Sequence, residues 1–98
     1  KVFVTKEQIM AKRFVVYGRV QGVGFRYFTW KEAEKIGIKG TVRNCTDGSV
    51  EIIAEGNDDQ LQYFYDWLKV GPRTATVERV LVDYIEDKRY SDFSIIHR

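Results

Sequence analysis

The sequence holds one cysteine, one histidine, one proline and one methionine in 98 residues. Each scarcity removes a class of chemistry. A lone Cys45 cannot form an internal disulfide, and it cannot build a cysteine-based zinc site. A lone His97, second from the last residue shown, is the only histidine through which a serine–histidine–acid or cysteine–histidine relay could pass. A histidine so placed is expected to lack the rigid surroundings such relays need. No run approaches 18 apolar residues, so no membrane-spanning helix is expected. No secretory leader is read at the start, and the cytoplasm is the expected compartment by default. Lys and Arg total 16 against 14 Asp and Glu, a formal charge of +2. That is too even for a general nucleic-acid binder, which carries a denser basic patch.

What is present suits one small domain. Surface scaling for a chain of 11.5 kDa leaves about 65% of the unfolded surface to be buried. Six Phe, six Tyr and two Trp are available to fill that core. Lys1 to Lys12 carries one apolar patch, Val2 to Val4, followed by a polar stretch. It reads as a flexible arm or one extra edge strand, with the domain proper over residues 13–98.

The pattern over 13–98 alternates strand and helix. Arg13 to Gln21 reads as a strand, with Phe14, Val16, Gly18 and Val20 on one face and Val15, Tyr17 and Arg19 on the other. Phe25 to Ile36 reads as a helix burying Phe25, Phe28, Thr29, Ala33 and Ile36, stopped by Gly37. Thr41 to Cys45 and Val50 to Glu55 flank Asp47-Gly48, a strong hairpin signal. Asp58 to Val70 spaces Leu61, Phe64, Tyr65 and Leu68 as one helical face, with Asn57 or Asp58 as cap and Gly71-Pro72 as its end. Thr76 to Ile85 is a long strand and Phe93 to Ile96 a short one. The order β-α-β-β-α-β plus a terminal strand predicts an α+β fold. It is a ferredoxin-like two-layer sandwich, with a mainly antiparallel sheet and both helices on one face.

Two places in this pattern carry chemistry. Gln21-Gly22-Val23-Gly24-Phe25-Arg26 joins the first strand to the first helix. Glycines there let successive N–H groups converge, the helix start adds free donors, and Arg26 offers a planar fork for two anionic oxygens. By composition alone such a loop is more often only a tight turn. It matches neither the dinucleotide fingerprint nor the P-loop. Asn44, disfavoured inside a strand, has two readings. One is a local backbone hydrogen bond beside the turn; the other is an amide that orients water. Arg43 should point to the opposite face and be solvated. Cys45 reads as a small hydrophobe, and the acidic residues show no metal-ligand spacing.

At both places the chain resembles the acylphosphatase family. The matching runs are Tyr17-Gly18-Arg19-Val20-Gln21-Gly22-Val23-Gly24-Phe25-Arg26 and Gly40-Thr41-Val42-Arg43-Asn44-Cys45-Thr46-Asp47-Gly48-Ser49-Val50-Glu51. Gly56, Gly71-Pro72 and Phe93-Ser94-Ile95 extend the likeness over nearly the whole chain. The resemblance implies hydrolysis of the carboxyl–phosphate bond of small acyl phosphates, releasing inorganic phosphate. It implies Gln21, Gly22, Val23, Gly24, Phe25 and Arg26 as the phosphate-binding loop, Arg26 as the catalytic arginine and Asn44 as the residue placing water. It implies no metal and no cofactor. No nucleic-acid or membrane partner is expected, and a monomer is expected. Thr41 stands where the family often has tryptophan, and Ile96-His97-Arg98 where many members place an aromatic.

Overall fold

The computed structural model describes residues 8–97. Seven elements follow in order: β1 (Met10–Arg19), α1 (Phe25–Ile36), β2 (Lys39–Asn44), β3 (Val50–Gly56), α2 (Asp58–Val70), β4 (Thr76–Ile85) and β5 (Phe93–Ile96). The strands form one sheet in the order β4-β1-β3-β2-β5, with β2 and β5 parallel and the other pairs antiparallel. The expected two-layer α+β sandwich is what forms. Among the described residues no helix is long and apolar enough to cross a membrane.

Alternation explains the core. Phe14 and Val16 on β1, Val42 on β2, and Val50, Ile52 and Ala54 on β3 are fully buried on one sheet face. Their registers, Phe14 opposite Ile52 and Val42 opposite Ile52, make one continuous apolar layer. Helix α2 covers it with Leu61, Phe64 and Leu68. Phe64 meets Phe14 and Phe93 edge to face, each with ring centroids 6.2 Å apart. Helix α1 contributes Phe25, Thr29 and Ala33.

Three expectations are corrected. Phe28 is 37% exposed rather than core, because it lies about 100° around the helix from the centre of the Phe25–Thr29–Ala33 stripe. Arg43 is not free in solvent: its Nε donates to Glu51 Oε1 at 2.8 Å, and Arg13 Nε donates to Glu51 Oε2 at 2.6 Å. This triad sits on the sheet face away from the helices. The first strand begins at Met10, so Met10 to Lys12 belong to the sheet and not to an arm. Ala11 is buried between Glu55 and Ile85. The remainder of the expected arm, residues 1–7, lies outside the described residues.

Candidate active site

The topology gathers one set of strand ends. Val16 of β1 pairs with Val50, the first residue of β3, and Val50 pairs with Asn44, the last of β2. Because β5 runs parallel to β2, its end lies there too, with Ile96 beside Arg43. Gly18 helps turn the chain at this end. It has φ 135° at a register shift between β1 and β4, and a Cβ there would overlap the Thr76 carbonyl oxygen.

Past Arg19 the chain makes the glycine loop and enters α1. Gly22 and Gly24 have φ of 75° and 80°, the left-handed region that favours glycine. The two helix starts differ. The N-terminus of α2 is closed by a capping box, Asn57 accepting from the Gln60 N–H and Gln60 from the Asn57 N–H. That of α1 has Gly24 at the cap position, no side-chain cap and no acidic residue in its first turn. Its first hydrogen bond is Phe28 N–H to the Gly24 carbonyl. Free N–H groups and the positive end of the helix dipole are left at the loop.

A pocket of about 190 Å³ opens at this helix start. It is lined by Gly22, Gly24, Phe25 and Arg26 from the loop and α1, by Asn44 from β2, by Ile95 from β5 and by His97 just past its end. Arg26 and Asn44, the two residues singled out in the sequence, therefore share one cavity. The Arg26 guanidinium is oriented by donating from Nη1 to the Ile96 carbonyl at 3.0 Å.

The other two loop side chains turn away from the pocket. Gln21 Nε2 donates to the carbonyls of Cys45 and Ser49, both at 2.8 Å, which ties the loop to the β2–β3 hairpin carrying Asn44. Val23 packs against the core, and its carbonyl accepts from Thr74 Oγ1 at 2.6 Å. The hairpin turn is itself closed by Asp47, which accepts from the Ser49 hydroxyl and N–H. Those hydrogen bonds hold the Asp47 carboxyl below its ordinary range, the hydroxyl contributing most. Reasoning from the sequence missed Thr74, the Ile96 carbonyl and His97. The first two act through tertiary contacts with no local pattern. His97 was set aside as terminal, yet it lines the pocket. Among the described residues no group of three or more His, Cys, Asp or Glu side chains could hold a metal ion.

A glycine loop, an uncapped helix start and an anchored arginine around one small cavity define a class: an α+β sandwich with a cavity at the positive end of a helix. Comparison with known proteins narrows the class. The family model described as Acylphosphatase matches residues 12–95. An acylphosphatase of Pasteurella multocida is 54% identical over 88 residues, covering 89% of this chain and 98% of that one. One from Mannheimia succiniciproducens is 53% identical over 90 residues, covering 91% and 100%. The crystal structure of acylphosphatase from Bacillus subtilis superposes with a TM-score of 0.87 at 41% identity, covering 92% of this chain and all of that one. The chain belongs to the acylphosphatase family.

Proposed function

We propose that the cavity at the start of α1 hydrolyses small acyl phosphates by direct attack of water on phosphorus, giving a carboxylate and inorganic phosphate. Acyl phosphate hydrolysis is the activity of the family; the residue roles are our assignment. The observation that carries it is that Arg26 and the loop glycines line one cavity with Asn44, although Asn44 comes from a separate segment at the end of β2. Arg26 would bind two phosphoryl oxygens with its fork, assisted by backbone N–H groups of the Gly22 to Arg26 loop. Gln21 and Val23 would serve by holding that loop, their side chains being engaged elsewhere. Asn44 would place the water in line with the breaking bond, its carbonyl accepting from water and its amide donating to the phosphoryl group.

The chemistry suits so sparse a site. A carboxylate leaves readily without an acid to protonate it. The phosphoryl transition state is loose, so positioning and charge neutralisation supply most of the rate. A metal or cofactor is not required for this, and no phosphoenzyme is needed. A lone cysteine suits a cytoplasmic location. Nucleic acid and membrane have no part in this reading, since the cavity is scaled to a small anion. We assign one domain of this family to residues 13–98, extended by the start of β1.

The test is hydrolysis of acetyl phosphate in ¹⁸O-labelled water, beside an ordinary phosphate monoester. The label should enter phosphate and not acetate, and the monoester should be turned over far more slowly. Label in acetate would show attack at the carbonyl, and a kinetically competent phosphoenzyme would exclude direct attack.

A further inference from the structure

We propose that Glu55 is a positioning residue for the phosphate cavity: its carboxylate clamps the β4–β5 connection at mid-span and so sets β5, whose Ile96 carbonyl orients Arg26. The inference rests on the reading of the cavity as an acyl phosphate site. It gives a part in that site to a residue at the opposite end of the sheet.

Topology creates the need for a clamp. β4 and β5 are the two edges of the sheet, and β1, β3 and β2 lie between them. The chain crosses from one edge to the other through residues 86–92. Four strand spacings make about 19 Å to cover. Eight residue steps reach about 27 Å when fully extended, so the connection has little slack. Glu55 stands halfway along the crossing. On one side it pairs with Ala11, which pairs in turn with Ile85 at the end of β4. On the other it pairs with Lys39, whose neighbour Gly40 faces Phe93 at the start of β5.

The carboxylate is the anion of a backbone nest. Glu55 Oε2 accepts from the N–H of Lys88 at 2.6 Å and of Arg89 at 3.0 Å, and Oε1 accepts from the N–H of Tyr90 at 2.8 Å. Arg89 takes φ 58° as three successive donors turn onto one group, a left-handed backbone uncommon outside glycine. Alternation puts Glu55 on the same sheet face as Glu51, away from the helices. It is nevertheless only 3% exposed, because the connection covers it. Removing the carboxylate would strip three N–H groups of their partner at once.

What the clamp holds is a weak strand. β5 is four residues long and pairs with β2 alone. Two residues after Tyr90, the Asp92 carbonyl accepts from the Gly40 N–H and opens the β2–β5 ladder. Three residues beyond Phe93, the Ile96 carbonyl receives Nη1 of Arg26. A connection fixed at Lys88 to Tyr90 therefore limits which residue of β5 can meet Gly40. A slip of one residue would turn the buried Phe93 out of the core and carry the Ile96 carbonyl away from Arg26. Without the clamp a short edge strand frays, and Arg26 is held for only part of the time.

The experiment titrates inorganic phosphate by calorimetry into wild type, Glu55→Ala and Glu55→Gln, and follows amide hydrogen exchange at Ile95 and Ile96. Glu55→Ala should weaken phosphate binding about tenfold, the loss that follows when β5 is docked about a tenth of the time. Exchange at both amides should speed up. Glu55→Gln should fall between Glu55→Ala and wild type, because the amide keeps one acceptor oxygen. Formate fits the vacated nest. It should restore most of the phosphate affinity of Glu55→Ala, beyond chloride at equal ionic strength, and leave wild type unchanged. A merely structural loss would not respond to a carboxylate in this way. Wild-type phosphate affinity in Glu55→Ala would overturn the proposal even with a lowered melting temperature. So would a weakened affinity that formate leaves unrestored. Should Glu55→Ala fail to fold, wild-type affinity and exchange in Glu55→Gln would overturn it equally. A wild-type chain that binds phosphate but is inert toward acetyl phosphate would overturn the hydrolytic reading and not the clamp, so the two failures are separable.

Discussion

At the residue scale the proposed roles would divide binding from turnover between two side chains. On the proposed reading Arg26, at the uncapped start of α1, would act on the phosphoryl group in both ground and transition states. Arg26→Ala should abolish competitive inhibition by inorganic phosphate and lower turnover about a thousandfold, read from steady-state kinetics. Asn44 would act on water, whose orientation matters chiefly in the transition state. Asn44→Ala should keep phosphate inhibition and the fold while kcat falls about a hundredfold. Lost phosphate affinity at unchanged kcat would reverse these roles. Arg26 and Asn44 were both singled out in the sequence, but the local pattern left the loop and Asn44 open to plain structural readings, and their roles came from the family resemblance.

At the element scale the stability of the sheet's outer face depends on Glu51. It accepts from Arg13 on β1 and Arg43 on β2, and so joins three neighbouring strands. Burial acting alone would raise its carboxyl; hydrogen bonds from Arg13 and then Arg43 outweigh it and hold the group below the ordinary carboxylate range. Both arginine side chains are more than a third exposed, at 38% and 43%, so screening limits the gain to about 1 kcal/mol. A depressed folded-state pKa stabilises above the unfolded value and stops doing so as pH falls through the folded one. Glu51→Gln should therefore melt about 4–8 °C lower near pH 7. The gap between the two melting curves should close below about pH 4. A gap independent of pH would show that the ion pairs contribute nothing. The sequence placed Arg43 and Glu51 correctly as strand residues. Their pairing was not legible, because it depends on which strands become neighbours.

For the whole molecule, the sheet sets how much chain the domain needs. The described pocket takes no residue before Val20. A chain beginning at Gln8 should keep its acyl phosphate turnover and melting temperature. Deletion through Lys12 removes Met10, Ala11 and Lys12 from β1, a central strand, and with them pairings to both β3 and β4. That deletion should cost about 1–2 kcal/mol, visible as a lower melting temperature in calorimetry. Equal melting temperatures for the two chains would show that these residues add nothing to the sheet.

The sequence by itself determined whatever is local. Periods of two and near four residues located all seven elements, with α1, α2, β4 and β5 at the bounds observed. Gly37 stopped α1 with φ 86°, and Asn57 capped α2, because caps and turns are read within a few neighbouring residues. The glycine loop and Arg26 follow the same rule. Tertiary structure alone decided which segments meet. Thr74 reaches the Val23 carbonyl across 51 positions, and Gln21 reaches the hairpin across 24 and 28. The parallel β2–β5 pairing brings His97 to the pocket. Contacts of this kind depend on strand order and register, which the summed burial of the apolar faces selects and no single segment encodes.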